Sequence, residues 1–310
     1  MLLVTFVIQH LEAMKTIHPN DISVPELHGI LLTAVAPRPI AFASTIDADG
    51  RPNLAPFSYF NVFSANPPIA IFSPARRGRD ATSKHTYENV KEVPEVVINV
   101  VDYSLVHQCS LASSDYPEGT SEFEKAGLTP VASETVKPFR VKESPVQFEC
   151  VVNEVKELGE GGGAGNLVIC EVKRIHIAEN VLTPEGKIDP EKIDLVGRCG
   201  GNFYTRSHEG LFEVPKPLTK LGIGVDALPE DVRTSKTLTG NHLAQLGGVE
   251  ELPNETDVNE YKLTDLADLF IEYEDDAVTL EQELHRIAAD LIDNGKVEEA
   301  WKALLAFNNG

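Results

Sequence analysis

Residues 145–177 contain two long apolar-rich runs, "PVQFECVVNEV" and "NLVICEVKRIHI", joined through the glycine-rich "GEGGGAG". The first run alternates with the period of a strand. Val146, Phe148, Cys150 and Val152 fall on one face, and Gln147, Glu149 and Asn153 fall on the other. Two such runs either side of a loop that we expect to be floppy make an antiparallel hairpin. A hairpin of this length needs further strands beside it, since two strands alone are marginal in water.

The preceding sequence supplies those strands. "RPIAFASTI" and "PNLAPFSYF" flank "DADG", a hairpin turn in which Gly50 can take the positive φ that the turn requires. "PPIAIFS" and "EVVINVV" are apolar runs of buried-strand length. No G-x-G-x-x-G follows a strand and opens a helix, which excludes a dinucleotide-binding βαβ unit. Many strands with few helices between them imply a mainly β fold with α additions, an antiparallel barrel.

Beyond residue 206 the texture changes. Residues 207–310 hold 22 acidic and 8 basic residues, a net charge of -14 out of -21 for the whole chain. "TDLADLFIEY" brings Leu266, Leu269 and Phe270 onto one side. "TLEQELHRIAADLI" lines up Leu280, Leu284, Ile287, Ala288 and Leu291, with Thr279 as its expected N-cap. Gly295 separates this run from "KVEEAWKALLAF", giving an αα-hairpin. Its apolar stripe is expected to pack against the barrel or a neighbouring subunit, with a docking surface for another protein as the alternative. The expected organisation is an N-terminal extension (1–21), a barrel domain (22–206) and an acidic helical C-terminal extension (207–310).

Four cysteines (Cys109, Cys150, Cys170, Cys199) lie far apart without a C-x-x-C pair. They read as core residues of a reduced, cytoplasmic protein, with neither a disulfide frame nor a metal site. The start "MLLVTFVIQHLEAMK" lacks the basic region of a secretory signal, and Met14 is an alternative natural start. No run is long enough for a transmembrane helix. The acidic balance disfavours nucleic acid and anionic membranes as partners.

Against that balance, "SPARRGRDATSKHTYENV" (73–90) sets Arg76, Arg77, Arg79 and Lys84 among Thr82, Ser83, His85 and Thr86. "TYENVKEV" reads as a short helix, so the basic loop would stand at a helix N-terminus, where free amides and the dipole favour an anion. Arginine grips phosphate oxygens in pairs and lysine adds a point charge. These features make a phosphate cradle; the alternative is a solvated basic loop paired with neighbouring carboxylates.

"APRPIAFASTIDADGRPNLAPFSYFNVFSANPPIAIFSP", the basic loop, "VINVV", "EFEKAGLTP", "ESPVQFECVV" and "GGNFY" together resemble the flavin reductase-like family with the FMN-binding split barrel, over roughly residues 22–206. The resemblance implies a split β-barrel homodimer that binds FMN near the subunit interface. It implies that Arg79, Thr82, Ser83, Lys84 and Thr86 hold the FMN phosphate, with His85 where the family usually has an acidic residue. It implies that Asn53, Ala55, Pro56, Phe57, Ser58 and Tyr59 line the isoalloxazine ring and ribityl chain, Ser58 reaching the polar edge of the ring. Asn61 and Ser73 are further candidates for ribityl contacts, and Gly200 to Tyr204 either approach the flavin or form a turn.

The activity implied is an NAD(P)H-dependent flavin reductase, with the flavin carrying the chemistry and no catalytic side chain required. His85 and His176 are expected to be structural. A separate monooxygenase is a possible recipient of the reduced flavin. The alternative is an FMN-holding electron carrier, similar to a flavoredoxin, reduced by a protein partner.

Overall fold

Ser23 opens the first helix by accepting a hydrogen bond from the Glu26 amide at 3.3 Å, with Pro25 in the first turn, where its missing N–H costs no helical bond. This helix is α1 (Val24–Ala34). Strands β1 (Ala41–Ile46), β2 (Pro52–Phe57), β3 (Phe60–Ala65) and β4 (Pro68–Phe72) follow, then helix α2 (His85–Glu92) and strand β5 (Glu95–Val100). Helices α3 (Val106–Leu111) and α4 (Glu122–Ala126) precede a short pair, β6 (Pro130–Val131) and β7 (Arg140–Val141). The long hairpin is β8 (Val146–Glu157) and β9 (Asn166–Ile177), and a second short pair, β10 (Val196–Arg198) and β11 (Tyr204–Arg206), comes last. The computed structural model describes residues 14–117, 119–214 and 221–307. The apolar start of the chain, residues 1–13, lies outside the described residues, as does much of the expected N-terminal extension.

Seven strands form one sheet in the order β2-β1-β5-β8-β9-β4-β3, with every neighbouring pair antiparallel. Its outer strands, β2 and β3, are joined by Ser58 and Tyr59 alone. In a flat sheet, strands about 4.8 Å apart would put those edges roughly 29 Å from one another. The link spans at most about 11 Å. The sheet therefore curls until its edges meet without pairing, which is a split barrel, and Ser58–Tyr59 bridges the split.

The barrel interior is filled by Ala41, Ala43, Phe57, Ala70, Phe72, Val96, Ile98, Cys150, Val168 and Cys170, with Val90 of α2 among them. The other face of β1 is covered as well: Phe42 joins Leu54, Leu105, Cys109, Phe123 and Val141 in a second cluster under α3 and α4. This double cover leaves all six residues of β1 buried, with no alternating solvent face. Gly50 turns between β1 and β2 with φ +82°, as expected.

The far face of β8 differs from the simple alternation. Gln147 and Glu149 are buried, the first donating to the carbonyls of Val141 and Ser144 at 2.9 Å each. Register shifts between Glu149 and Cys150 and between Val152 and Glu154 also interrupt the period. The glycine loop, expected to be floppy, is hydrogen-bonded to a neighbouring loop. Arg76 N donates to Ala164 O at 2.8 Å and Gly163 N donates to Arg76 O at 3.1 Å, which ties the hairpin tip to the basic loop.

The chain divides into two compact units between Phe212 and Glu213. The second unit consists of helices α5 (Glu230–Arg233), α6 (Gly240–Leu246), α7 (Glu255–Thr264), α8 (Ala267–Glu272), α9 (Ala277–Asp293) and α10 (Val297–Leu305). Asp276, not Thr279, caps α9, accepting from the Thr279 amide at 3.0 Å. Gly295, at φ +75°, makes the turn into α10. The apolar stripe of α9 is used within this unit: Leu280 and Leu284 pack with Val258, Leu266, Ala303 and Ala306, and Ala288 and Ile292 pack with Leu246, Trp301 and Leu304. The expectation that the stripe packs against the barrel or a neighbouring subunit is corrected: these residues pack against the unit's own helices. Among the described residues, no helix is long and apolar enough to cross a membrane.

Candidate functional site

The basic loop follows β4 and folds back on itself through two backbone hydrogen bonds of 2.9 Å, Arg77 N to Thr82 O and Ala81 N to Arg77 O. Ala81 takes a positive φ of 57° to close this turn, a conformation that costs an alanine roughly 1–2 kcal/mol. The loop runs directly into α2. Lys84 is the N-cap residue and provides no side-chain cap; its carbonyl takes the Tyr87 amide at 2.9 Å, so the amides before Tyr87 are left for another acceptor.

Beside this helix end lies a cleft of about 820 Å³, within the size range of small-molecule sites. Arg76, Arg77, Arg79 and Lys84 form one wall; His28 and Leu31 of α1, with Tyr59 at the barrel split, form another. Gly162 and Gly163 of the β8–β9 loop complete it. A Cβ on Gly162 would lie 2.8 Å from Gly78 O, so only glycine lets the two loops approach this closely.

Two buried polar atoms on residues of this cleft lack hydrogen-bond partners, Arg76 Nε and Arg77 Nε, as does Ser73 Oγ a few residues earlier in the chain. Buried donors are rarely left unpaired, and their clustering beside a cleft marks where a polar ligand would satisfy them. Arg76 also donates to the Ala81 carbonyl at 3.3 Å and Arg77 to the Thr82 hydroxyl at 3.2 Å and the Ser83 carbonyl, and carboxylates stand among the cations as well. Asp115, on the α3–α4 connection, has Oδ1 3.3 Å from Lys84 Nζ and 3.6 Å from Arg77 Nε, while Oδ2 is 3.6 Å from Arg79 Nη2. Lys84 foremost, then Arg77 and Arg79, hold the Asp115 carboxyl below its ordinary range against the opposing effect of burial. Arg76 Nη2 lies 3.6 Å from Glu157. Asp80 accepts from the Thr82 hydroxyl at 2.6 Å and its amide at 3.0 Å; these bonds, with Arg79 beside them, bring its carboxyl down to about 2.

Of the residues singled out in the sequence, Tyr59, Arg76, Arg77, Arg79 and Lys84 line this cleft. Thr82 is exposed on the basic loop, and the Ser83 carbonyl accepts a hydrogen bond from Arg77. Asn53 and Thr86 are buried and joined to each other, Nδ2 to Oγ1 at 2.9 Å. Asn53 borders a second cavity of about 320 Å³ shared with His85, Glu88 and Glu122. Ala55 and Pro56 are half-buried on β2, and Phe57 is buried with its ring 5.5 Å from that of Phe72. Ser58 accepts from Arg38 Nε at 3.4 Å, and Tyr59 meets His28 edge-on with ring centres 6.2 Å apart. Asn61 is exposed on β3, its Oδ1 accepting from the Val62 amide at 2.8 Å. Ser73 is buried at the end of β4.

Gly200 and Gly201, at φ +87° and +50°, form a turn between β10 and β11, and a Cβ on Gly200 would lie 2.7 Å from Thr33 Oγ1 of α1. His176 is bound to the buried carboxylate of Glu149 at 2.8 Å and lies outside the cleft lining.

Arg38 and Asp115 were not identified from the sequence. Arg38 is buried, donates to the carbonyls of Leu32 and Val35 near the end of α1, and keeps Nη2 unpaired; burial lowers its pKa. Nothing local marks Asp115, because its partners lie about thirty residues earlier.

A family model for the flavin reductase like domain matches residues 34–191. A protein of Halalkalibacterium halodurans is 38% identical over 203 residues, covering 65% of this chain and 96% of its own length. Among solved structures, nitrilotriacetate monooxygenase component B from Bacillus cereus is similar at 33% identity and a TM-score of 0.60, covering 66% of this chain and 98% of that one. A flavin reductase candidate with a split barrel domain from Shewanella frigidimarina is 26% identical with a TM-score of 0.54, covering 64% and 95%.

Proposed function

This chain belongs to the flavin reductase-like family, and from that membership we propose that it is an FMN-binding oxidoreductase, most simply an NAD(P)H-dependent flavin reductase of the cytoplasm. The observation that carries the proposal is the cleft beside α2, with its four cationic side chains and unpaired buried donors. When bound, FMN supplies the redox chemistry, accepting hydride at N5 from a nicotinamide nucleotide.

The residues present fit the group. Arg77, Arg79, Lys84 and the α2 amides would take the phosphate. Arg76 Nε, on a residue of the cleft wall, and Ser73 Oγ, three residues earlier, are buried donors without partners. Tyr59 and Leu31 offer apolar surface at the barrel split, where Ser58, anchored by Arg38, would meet the polar edge of the ring. Through its bond to Ser58, Arg38 would bring a buried positive charge towards that edge, which would favour negative charge on the ring.

Two further parts of the proposal rest on membership of the family. The chain would act as a homodimer; on β3, an edge strand of the sheet, Val62 and Phe63 are 57% and 65% exposed, leaving an apolar surface to cover. The similarity to component B of a monooxygenase supports delivery of reduced flavin to a separate oxygenase. The test is an absorbance spectrum of the purified protein, followed by anaerobic titration with NADH and NADPH. Bleaching of a flavin band supports the reductase. A bound flavin that neither nucleotide reduces would favour an electron carrier served by a protein partner.

A further inference from the structure

The cations of the basic loop converge on a carboxylate that the loop does not supply. Asp115 comes from the α3–α4 connection, 31 residues after Lys84, and meets Arg77, Arg79 and Lys84 at 3.3–3.6 Å. Its side chain is about half exposed, at 47%, so it could have remained in water at little cost. The contacts are also loose. A well-formed charged hydrogen bond between nitrogen and oxygen measures about 2.7–2.9 Å, and Arg77 Nε remains without a hydrogen bond although it is buried. The carboxylate is thus attracted by charge without matching the geometry of the donors. A phosphate monoester carries more charge and three acceptor oxygens in a tetrahedral array, and suits the same donors better.

We propose that Asp115 is an internal competitor for the flavin phosphate: it stands among Arg77, Arg79 and Lys84 when no phosphate is there, and gives way when FMN binds. The inference rests on the assignment of this loop as the phosphate site. Its consequence is that each FMN bound must displace an ion-paired carboxylate, and each FMN released has its cations taken up again. Affinity for the phosphate is lowered and release is hastened, as suits a protein that exchanges its flavin. An orienting role for Asp115, in which it holds the three cations ready for the ligand, has the opposite sign: its loss would weaken FMN.

The experiment compares the full-length protein with Asp115→Asn and Asp115→Glu, measuring FMN and riboflavin affinity by flavin fluorescence and FMN dissociation by stopped flow. Three partly exposed ion pairs are removed by Asp115→Asn, so FMN should bind about tenfold more tightly and leave correspondingly more slowly. Riboflavin, which has no phosphate, should bind both proteins alike, and this also reports that the variant is folded. Asp115→Glu keeps the competing charge and should remain within about twofold of the parent. The gain should diminish at high salt, because the carboxylate is partly exposed. Unchanged or weaker FMN binding by Asp115→Asn, or an equal change for riboflavin, overturns the proposal. If the parent protein binds FMN no better than riboflavin, the phosphate site itself is wrong, and that result is read before any variant is considered.

Discussion

Asn53 Nδ2 donates to Thr86 Oγ1 at 2.9 Å, joining strand β2 to the first turn of α2 across 33 residues of chain. Both residues are buried, and Asn53 Nδ2 also lies 3.3 Å from Thr45 Oγ1. Losing one partner strands the other, which costs about 1–3 kcal/mol. Thr86→Val and Asn53→Ala should each lower stability by that amount in urea unfolding. The double variant should lose less than the sum, because the same bond is removed twice.

Lys84→Ala should weaken FMN by about tenfold and leave riboflavin unaffected. A hydrogen bond to a charged group contributes about 1.5–3 kcal/mol, and the lower part of that range applies because the Lys84 side chain is 34% exposed. Fluorescence titration with both flavins checks this. Equal losses would assign Lys84 to the fold.

Glu149 should give the barrel an acid-sensitive component. Burial pushes its carboxyl up, but the Thr135 hydroxyl, the Glu134 and Thr135 amides and His176 outweigh that effect and hold it at about 2. An unfolded glutamate titrates near 4.3. The folded state therefore gains stability from this group above about pH 5 and loses it as pH falls towards 2. Glu149→Gln should be less stable than the parent at pH 7, with the gap narrowing in acid. A gap in urea midpoint that is constant from pH 7 to pH 3 would contradict this.

The helical unit should unfold without consequence for the flavin. Trp301 is the chain's one tryptophan; it is fully buried, with Nε1 donating to Leu246 O at 3.1 Å. Ile292→Ala should cost about 2–5 kcal/mol in that core and shift the tryptophan emission transition, with FMN absorbance unchanged. A chain ending at Phe212 should still take up FMN. Failure of that shortened chain to bind flavin while folded would assign the helices a part in the site.

Phe63→Glu should convert a dimer to a monomer by light scattering if β3 is the subunit contact, because a carboxylate would then be desolvated within an apolar interface. A parent protein that is already monomeric would remove the homodimer from the proposal.

Much of the barrel was legible because its signals are local. Gly50 marks the first hairpin, and the apolar runs of β1, β4 and β5 are short and bounded by turns. The basic loop was legible for the same reason, since four cations within nine residues need no tertiary knowledge to be noticed. What depended on distant chain was not legible. Glu149 and Gln147 look like a wet face until residues 133–144 are laid over them. Thr279 and Asp276 are both N-cap types, and the backbone path of the preceding turn places Asp276 there. Asp115 is one carboxylate among 48 acidic residues until folding brings it to Lys84.

The glycine hairpin tip has a practical consequence. Between two long strands, an exposed run such as "GEGGGAG" is where an epitope, a fluorescent reporter or a circular-permutation break would ordinarily be placed. Here the backbone of Gly163 and Ala164 is bonded to Arg76, and Gly162 lies against the carbonyl of Gly78. An insertion at this tip would be felt at the basic end of the cleft, so under the proposed function a tagged protein that failed to take up FMN would report on the placement of the tag rather than on the site itself.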